Sequence, residues 1–174
     1  MDGVMQAASP QQEDGAIIGA YRHAMRRQMT GVAIITTMVN GQRHGMTANA
    51  LMSLSMDPPS LAVCIKKTAS MHDPVLSAQA FCVNLLAAQQ KEVAAAFSGK
   101  LDGEARFAVG DWQSGYRDIP HLPGALSNIF CDVAGFMPWA THTLLCGRVA
   151  DVSLGLGSSV LFYWNGQYGS MAAR

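Results

Sequence analysis

The spacing of apolar positions changes several times along the chain, and each change predicts an element. Ile17 or Ile18, Tyr21, Met25 and Met29 recur at helical spacing, with Arg22, Arg26 and Arg27 on other faces. That pattern predicts a helix over Ala16–Met29, ended by Gly31. A run rich in β-branched residues, Val32–Val39, predicts a strand. Asn40-Gly41 and then Gln42–Ala50 follow, and Asn-Gly between two such runs predicts a hairpin, because both turn positions favour positive φ. Leu51, Ser53 and Ser55 alternate with Met52, Leu54 and Met56. Asp57-Pro58-Pro59 is then expected to end regular pairing, since two prolines remove two donors. Ser60–Lys66 reads as a strand, Met71–Ala78 as a short helix capped by Ser70, Phe81–Leu86 as a strand and Gln89–Phe97 as an Ala-rich helix.

The second half begins with an irregular stretch, Ser98–Pro123, expected to be a long surface excursion. Ala125–Phe136 and Thr143–Leu154 read as two longer strands, and Gly155–Ser159 as a loop. Val160–Trp164 and Gln167–Met171 flank Asn165-Gly166 and predict a second hairpin. Seven or eight strands without regular strand–helix alternation argue against a parallel Rossmann sheet. They predict a mainly β, antiparallel barrel with a few short helices at its ends. The glycines spell neither G-x-G-x-x-G nor a P-loop. With no repeat or linker, one domain is expected over residues 16–174, after a polar, flexible tail at Met1–Gly15.

Composition narrows the function classes. Of the 174 residues 49% are hydrophobic and only 14% charged. So little polar material has to cover the surface that a buried homodimer interface is expected. Twelve basic residues balance twelve acidic ones. The absence of a basic tract argues against nucleic acid as a partner. The apolar runs are too short to span a bilayer, and the N-terminus has neither the basic start nor the apolar stretch of a secretory signal. A cytoplasmic location is therefore expected. Cys64, Cys82, Cys131 and Cys146 lie in separate apolar runs without zinc spacing, so they read as reduced thiols, and no metal site is expected.

The most informative stretch is Gly45–Pro59, in which small and hydroxyl residues interrupt an otherwise apolar strand. Such positions let a flat ligand approach the backbone and bond to exposed amides. Gly31-Val32-Ala33-Ile34-Ile35-Thr36-Thr37, the Asn-Gly turn and then Gly45–Pro59 resemble the flavin reductase-like family. The resemblance continues through Lys66, Ser70, Phe81-Cys82-Val83-Asn84-Leu85-Leu86, Phe97, Arg106-Phe107 and His142 with Gly147-Arg148-Val149. The ordered matches span about Arg22 to Tyr168. One departure stands out: Ala140-Thr141 precede His142 where family members often carry Gly-Asp.

The resemblance implies a dimeric split β-barrel that holds FMN in a groove near the subunit interface, with FAD as an alternative flavin. It assigns Thr47, Ala48, Asn49 and Ala50 to the isoalloxazine, and Ser53, Lys66 and Ser70 to the ribityl and phosphate end. Lys66 and Lys67 alternate across a strand end, so only one can point inward. Phe97 is assigned a place beside the cofactor, although on a helix such an aromatic is more often core. Asn84, mid-strand among apolar residues, needs hydrogen-bond partners. His142 is the candidate for touching nicotinamide, with NADH or NADPH as co-substrate. The implied activity is hydride transfer to flavin, feeding a partner flavin-dependent oxygenase. A flavin-binding electron-transfer or sensor module without turnover is the alternative, and a pyridoxamine-phosphate oxidase type ranks below both.

Overall fold

The computed structural model describes residues 10–172. Helix α1 spans Pro10–Met25. It starts before the expected Ala16 and takes in residues 10–15 of the expected tail, and residues 1–9 of that tail lie outside the described residues. Two further helices are α2, His72–Ala78, and α3, Lys91–Ala95. The strands are β1 Thr30–Gly31, β2 Ala33–Val39, β3 Gln42–Ala48, β4 Leu51–Met56, β5 Pro59–Lys66, β6 Ala80–Leu85, β7 Gln113–Ser114, β8 Pro120–His121, β9 Ser127–Trp139, β10 His142–Leu154, β11 Ser159–Trp164 and β12 Gln167–Ala172. No helix among the described residues is long and apolar enough to cross a membrane.

Both Asn-Gly pairs form the expected hairpin turns, with φ of 50° and 77° at Asn40 and Gly41 and of 48° and 83° at Asn165 and Gly166. The expectation for Asp57-Pro58-Pro59 is corrected. Strands β4 and β5 pair antiparallel with Met56 opposite Pro59, and Asp57-Pro58, joined by a cis bond, is the turn between them. The prolines interrupt nothing, because they occupy the turn and the first strand position, where a missing donor costs no ladder bond. The Asp57 N–H donates instead to Ser55 Oγ. Ser70 caps no helix: α2 has Met71 at its N-cap, without a side-chain hydrogen bond.

Seven strands form one antiparallel sheet in the order β3-β2-β6-β9-β10-β5-β4. Strands β3 and β4 are its two edges, yet only Asn49 and Ala50 separate them in sequence. Three residue steps reach at most about 11 Å. Six flat interstrand gaps would hold the edges about 29 Å apart. The sheet must therefore curl until its edges meet at residues 49–50. Inside the curl lies a core built from alternate residues of the strands, among them Ala33, Ile35, Val63, Phe81, Val83 and Leu145, with Met71 and Val75 from the α2 region. A second cluster packs α3 and β11 on the opposite face of β2, around Ile34, Phe97, Phe107 and Leu161.

Candidate active site

A groove of about 600 Å³ opens where the sheet edges meet. Met46 and Ala48 at the end of β3, Asn49 and Ala50 at the seam, and Cys64, Lys66, Leu144 and His142 from β5 and β10 line it. The last four alternate along their strands, so they share one face. Met137 and Trp139 from β9 complete the wall. Asn49 and Ala50 are exposed and belong to no strand. Among the described residues their amide N–H groups make no backbone hydrogen bond, while the Ala50 carbonyl accepts from the Cys64 N–H at 2.9 Å. Two unpaired amides beside alanine-sized side chains are what a planar ring with a polar edge needs in order to lie against peptide.

The register explains how Lys66 and His142 come together. They are direct cross-strand partners between β5 and β10, and His142 is also opposite Trp139 across the β9–β10 hairpin. Lys67 is committed elsewhere, with its Nζ donating to the Ala140 carbonyl at 2.8 Å. Lys66 is thus the lysine that lines the groove. Thr141 Oγ1 lies 2.9 Å from His142 Nδ1, so the hairpin turn itself supplies an orienting partner for the imidazole. One residue on, Thr143 Oγ1 is 2.9 Å from His72 Nε2, whose Nδ1 is 2.7 Å from Asp73 Oδ1. With Nδ1–H donating to the carboxylate, Nε2 accepts from the Thr143 hydroxyl. This chain ties α2 to the start of β10 beside His142.

Four residues assigned to the flavin lie elsewhere. Thr47 points to the other face of β3, where its hydroxyl donates to the Ala94 carbonyl at 2.7 Å. Phe97 is 2% exposed, its ring 5.0 Å from Phe107 and 5.1 Å from Trp112. It is core, seated against β3 where Gly45 leaves room: a Cβ there would fall 2.7 Å from the Phe97 ring. Ser53 and Ser70 are exposed and do not line the groove. Period-two alternation accounts for Thr47, since Met46 and Ala48 take the groove side.

Asn84 has a structural assignment. Its Nδ2 donates to the Ile34 carbonyl at 3.0 Å and to Thr36 Oγ1 at 3.2 Å, and its Oδ1 accepts from the Leu122 N–H at 2.9 Å. Burial first and the Arg106 guanidinium second hold His44 below the usual imidazole range. Burial and the neighbouring Asp132 push the Cys131 thiol up to about 12, and burial raises Cys82 further. Neither is a nucleophile at neutral pH.

Sequence reasoning missed Cys64, Leu144, Met137 and Trp139 as walls of the groove. The alternation from Lys66 back to Cys64 carried a signal for the first. The others depended on the β5–β10–β9 register, which no local pattern encodes.

The flavin reductase like domain model matches residues 25–172. The reductase component of an FADH(2)-dependent resorcinol hydroxylase from Rhizobium sp. (strain MTP-10005) is 38% identical over 150 residues, covering 85% of this chain and 84% of that one. The FMN reductase (NADH) RutF of Pseudomonas syringae pv. syringae (strain B728a) is 35% identical over 149 residues, covering 86% and 84%. Among solved structures, BorF, the flavin reductase component of a bacterial two-component tryptophan halogenase, superposes with a TM-score of 0.83 at 29% identity, covering 90% of this chain and 99% of that one. With a seam of small residues opposed by Lys66 and His142, and a match over nearly all of its length, the chain belongs to the flavin reductase like domain family.

Proposed function

We propose that the chain is a flavin reductase that passes hydride from NADH or NADPH to FMN or FAD and supplies reduced flavin to a separate flavin-dependent oxygenase. The observation that carries this reading is the groove at residues 48–50, where exposed amides and small side chains face Lys66 and His142. The residues present fit a flavin. The Asn49 and Ala50 N–H groups are free to donate to the polar edge of the ring, Ala48 leaves space for it, and the apolar side chains of Met46 and Leu144 cover its faces. Thr47 contributes main chain only. The Lys66 ammonium suits the phosphate end, as a point charge at the groove wall. Ser53 and Ser70 would reach that end only from outside the groove.

The flavin, when bound, supplies the electron sink, and the protein supplies position and exclusion of water. With the Thr141 hydroxyl donating to Nδ1, His142 carries its proton on Nε2 and offers a donor to the nicotinamide carboxamide. Thr141 stands where family members often carry the acidic neighbour, and its hydroxyl keeps a partner for the imidazole. The curled sheet is the framework of a split barrel, and the chain acts as a homodimer in the cytoplasm. Every α1 residue from Asp14 onward is exposed, with Ile17, Ile18, Tyr21 and Met25 between 45% and 65% accessible, an apolar face that a second copy would bury. All four cysteines are free thiols, which suits a reducing compartment. The test is to mix the purified chain with NADH or NADPH and FMN or FAD and follow the nicotinamide absorbance. Oxidation above the protein-free rate is expected, and its absence in all four combinations would defeat the reading.

A further inference from the structure

Three grips reach the start of β10 from the segment that joins β5 to α2. The Lys67 N–H donates to the Thr141 carbonyl at 3.0 Å, and Lys67 Nζ to the Ala140 carbonyl at 2.8 Å. At the head of α2, His72 Nε2 lies 2.9 Å from Thr143 Oγ1. Ala140, Thr141 and Thr143 are thus tied to one segment, while His142, among them, lines the groove. The segment is itself anchored. The Ala69 N–H donates to the Lys66 carbonyl at 2.9 Å, and the His72 N–H to the Ala69 carbonyl at 3.0 Å. Met71 and Val75, both buried, seat α2 in the core inside the curl.

The side-chain grip carries the directional information. Thr143 is 3% exposed and shares its face of β10 with Leu145, opposite Ile65 of β5, both core residues. Successive strand residues point to opposite faces, so holding the Thr143 hydroxyl on the core side holds the His142 imidazole on the groove side. A hydroxyl this deeply buried needs a partner, and His72 supplies it. The Asp73 carboxylate, 2.7 Å from His72 Nδ1, keeps the proton on that nitrogen and leaves Nε2 free to accept. Neither His72 nor Thr143 lines the groove. We propose that Asp73, His72 and Thr143 are positioning residues, a relay that holds His142 in one orientation toward the nicotinamide nucleotide. This rests on the reading of His142 as the residue that meets nicotinamide.

The experiment reads the imidazole nitrogen signals of the full chain by NMR, in the wild type and in His72→Leu, Thr143→Val and Thr143→Ser. The signal that His142→Ala removes identifies His142. In the wild type His142 is expected as one tautomer, with its proton on Nε2. His72→Leu and Thr143→Val are expected to move it toward the tautomer mixture of a free imidazole, and Thr143→Ser, which keeps the hydroxyl, to leave it in place. In steady-state kinetics, KM for the nicotinamide nucleotide is expected to rise about two- to fivefold in His72→Leu, one hydrogen bond's worth, with flavin affinity unchanged. On top of His142→Ala, His72→Leu is expected to add nothing, because a relay that acts through one side chain is silent once that side chain is gone. Signals unmoved by both His72→Leu and Thr143→Val, additive effects on KM, or a parallel loss of flavin affinity would each overturn the proposal. Thr143→Val, close in volume to the wild type, keeps the test open should His72→Leu fail to fold. Unmoved ring signals with intact NADH or NADPH oxidation would sink this inference and spare the reductase reading. Ring signals that move as expected, in a chain that oxidises neither nucleotide, would spare the relay and sink that reading.

Discussion

Replacing Asn84 by alanine isolates one side chain that organises three segments. The amide is fully buried in β6 and bonds the Ile34 carbonyl, the Thr36 hydroxyl and the Leu122 N–H. Thr36 keeps a partner after truncation, because its own hydroxyl donates to the Pro120 carbonyl. The Leu122 N–H does not, and Leu122 is 2% exposed. Leaving that donor buried and unpaired costs about 1–3 kcal/mol. The lost bond to Ile34 and the emptied side-chain volume bring the total to about 3 kcal/mol. With a urea slope near 2 kcal/mol per molar, the unfolding midpoint falls by about 1.5 M. Far-UV circular dichroism against urea reads this directly. A fall below about 0.5 M, at unchanged slope, would show that this amide does not hold the Leu122 segment to the sheet.

Other perturbations follow from the same geometry. Ala140 sits at φ 43° in the β9–β10 turn, so Ala140→Gly relieves more strain than it adds in chain entropy, and Tm should rise by about 1–4 °C in a thermal melt. His44 is held below its unfolded value of 6.5 by burial and by Arg106, so the unfolded chain binds the proton more readily. Its contribution to stability is intact above pH 6.5 and is lost as pH falls through the folded value, and urea midpoints between pH 5 and 7 should lose part of that slope in His44→Gln. Asn49→Trp fills the seam and should weaken flavin binding by at least the roughly 10- to 200-fold that one misfitting methylene costs, with the thermal melt unchanged. His142→Ala should raise KM for the nicotinamide nucleotide about five- to tenfold, one hydrogen bond's worth, with a smaller effect on flavin affinity, and steady-state kinetics with a parallel flavin titration separate the two.

Much of the ladder was legible because it depends on local signals. The Asn-Gly turns, the β-branched runs and the period-two alternation placed the nine longer strands to within three residues at each end, while the two-residue strands β1, β7 and β8 carried no such signal. Asp57-Pro58-Pro59 was misread because a proline's missing donor counts only inside a ladder, and these residues sit at a turn and a strand start. Of the candidate groove, the stretch Ala48–Ala50 was legible from its small residues, and it lines the groove. Where it depends on register, the sequence was silent: Trp139 meets His142 through pairing across a turn. Phe97 and Thr47 matched a family pattern, but a β-strand sends neighbours to opposite sides, and the side that bears Thr47 and Phe97 is packed against α3.

The meeting of β3 and β4 at Asn49-Ala50 has a mechanical side. The hydrogen-bonded ladder is a broken hoop whose free ends lie next to each other without being laced together. A molecule resting across the break would act as a clasp, joining the two strands that stand farthest apart along the ladder. Its grip would then be felt as stiffness around the whole hoop.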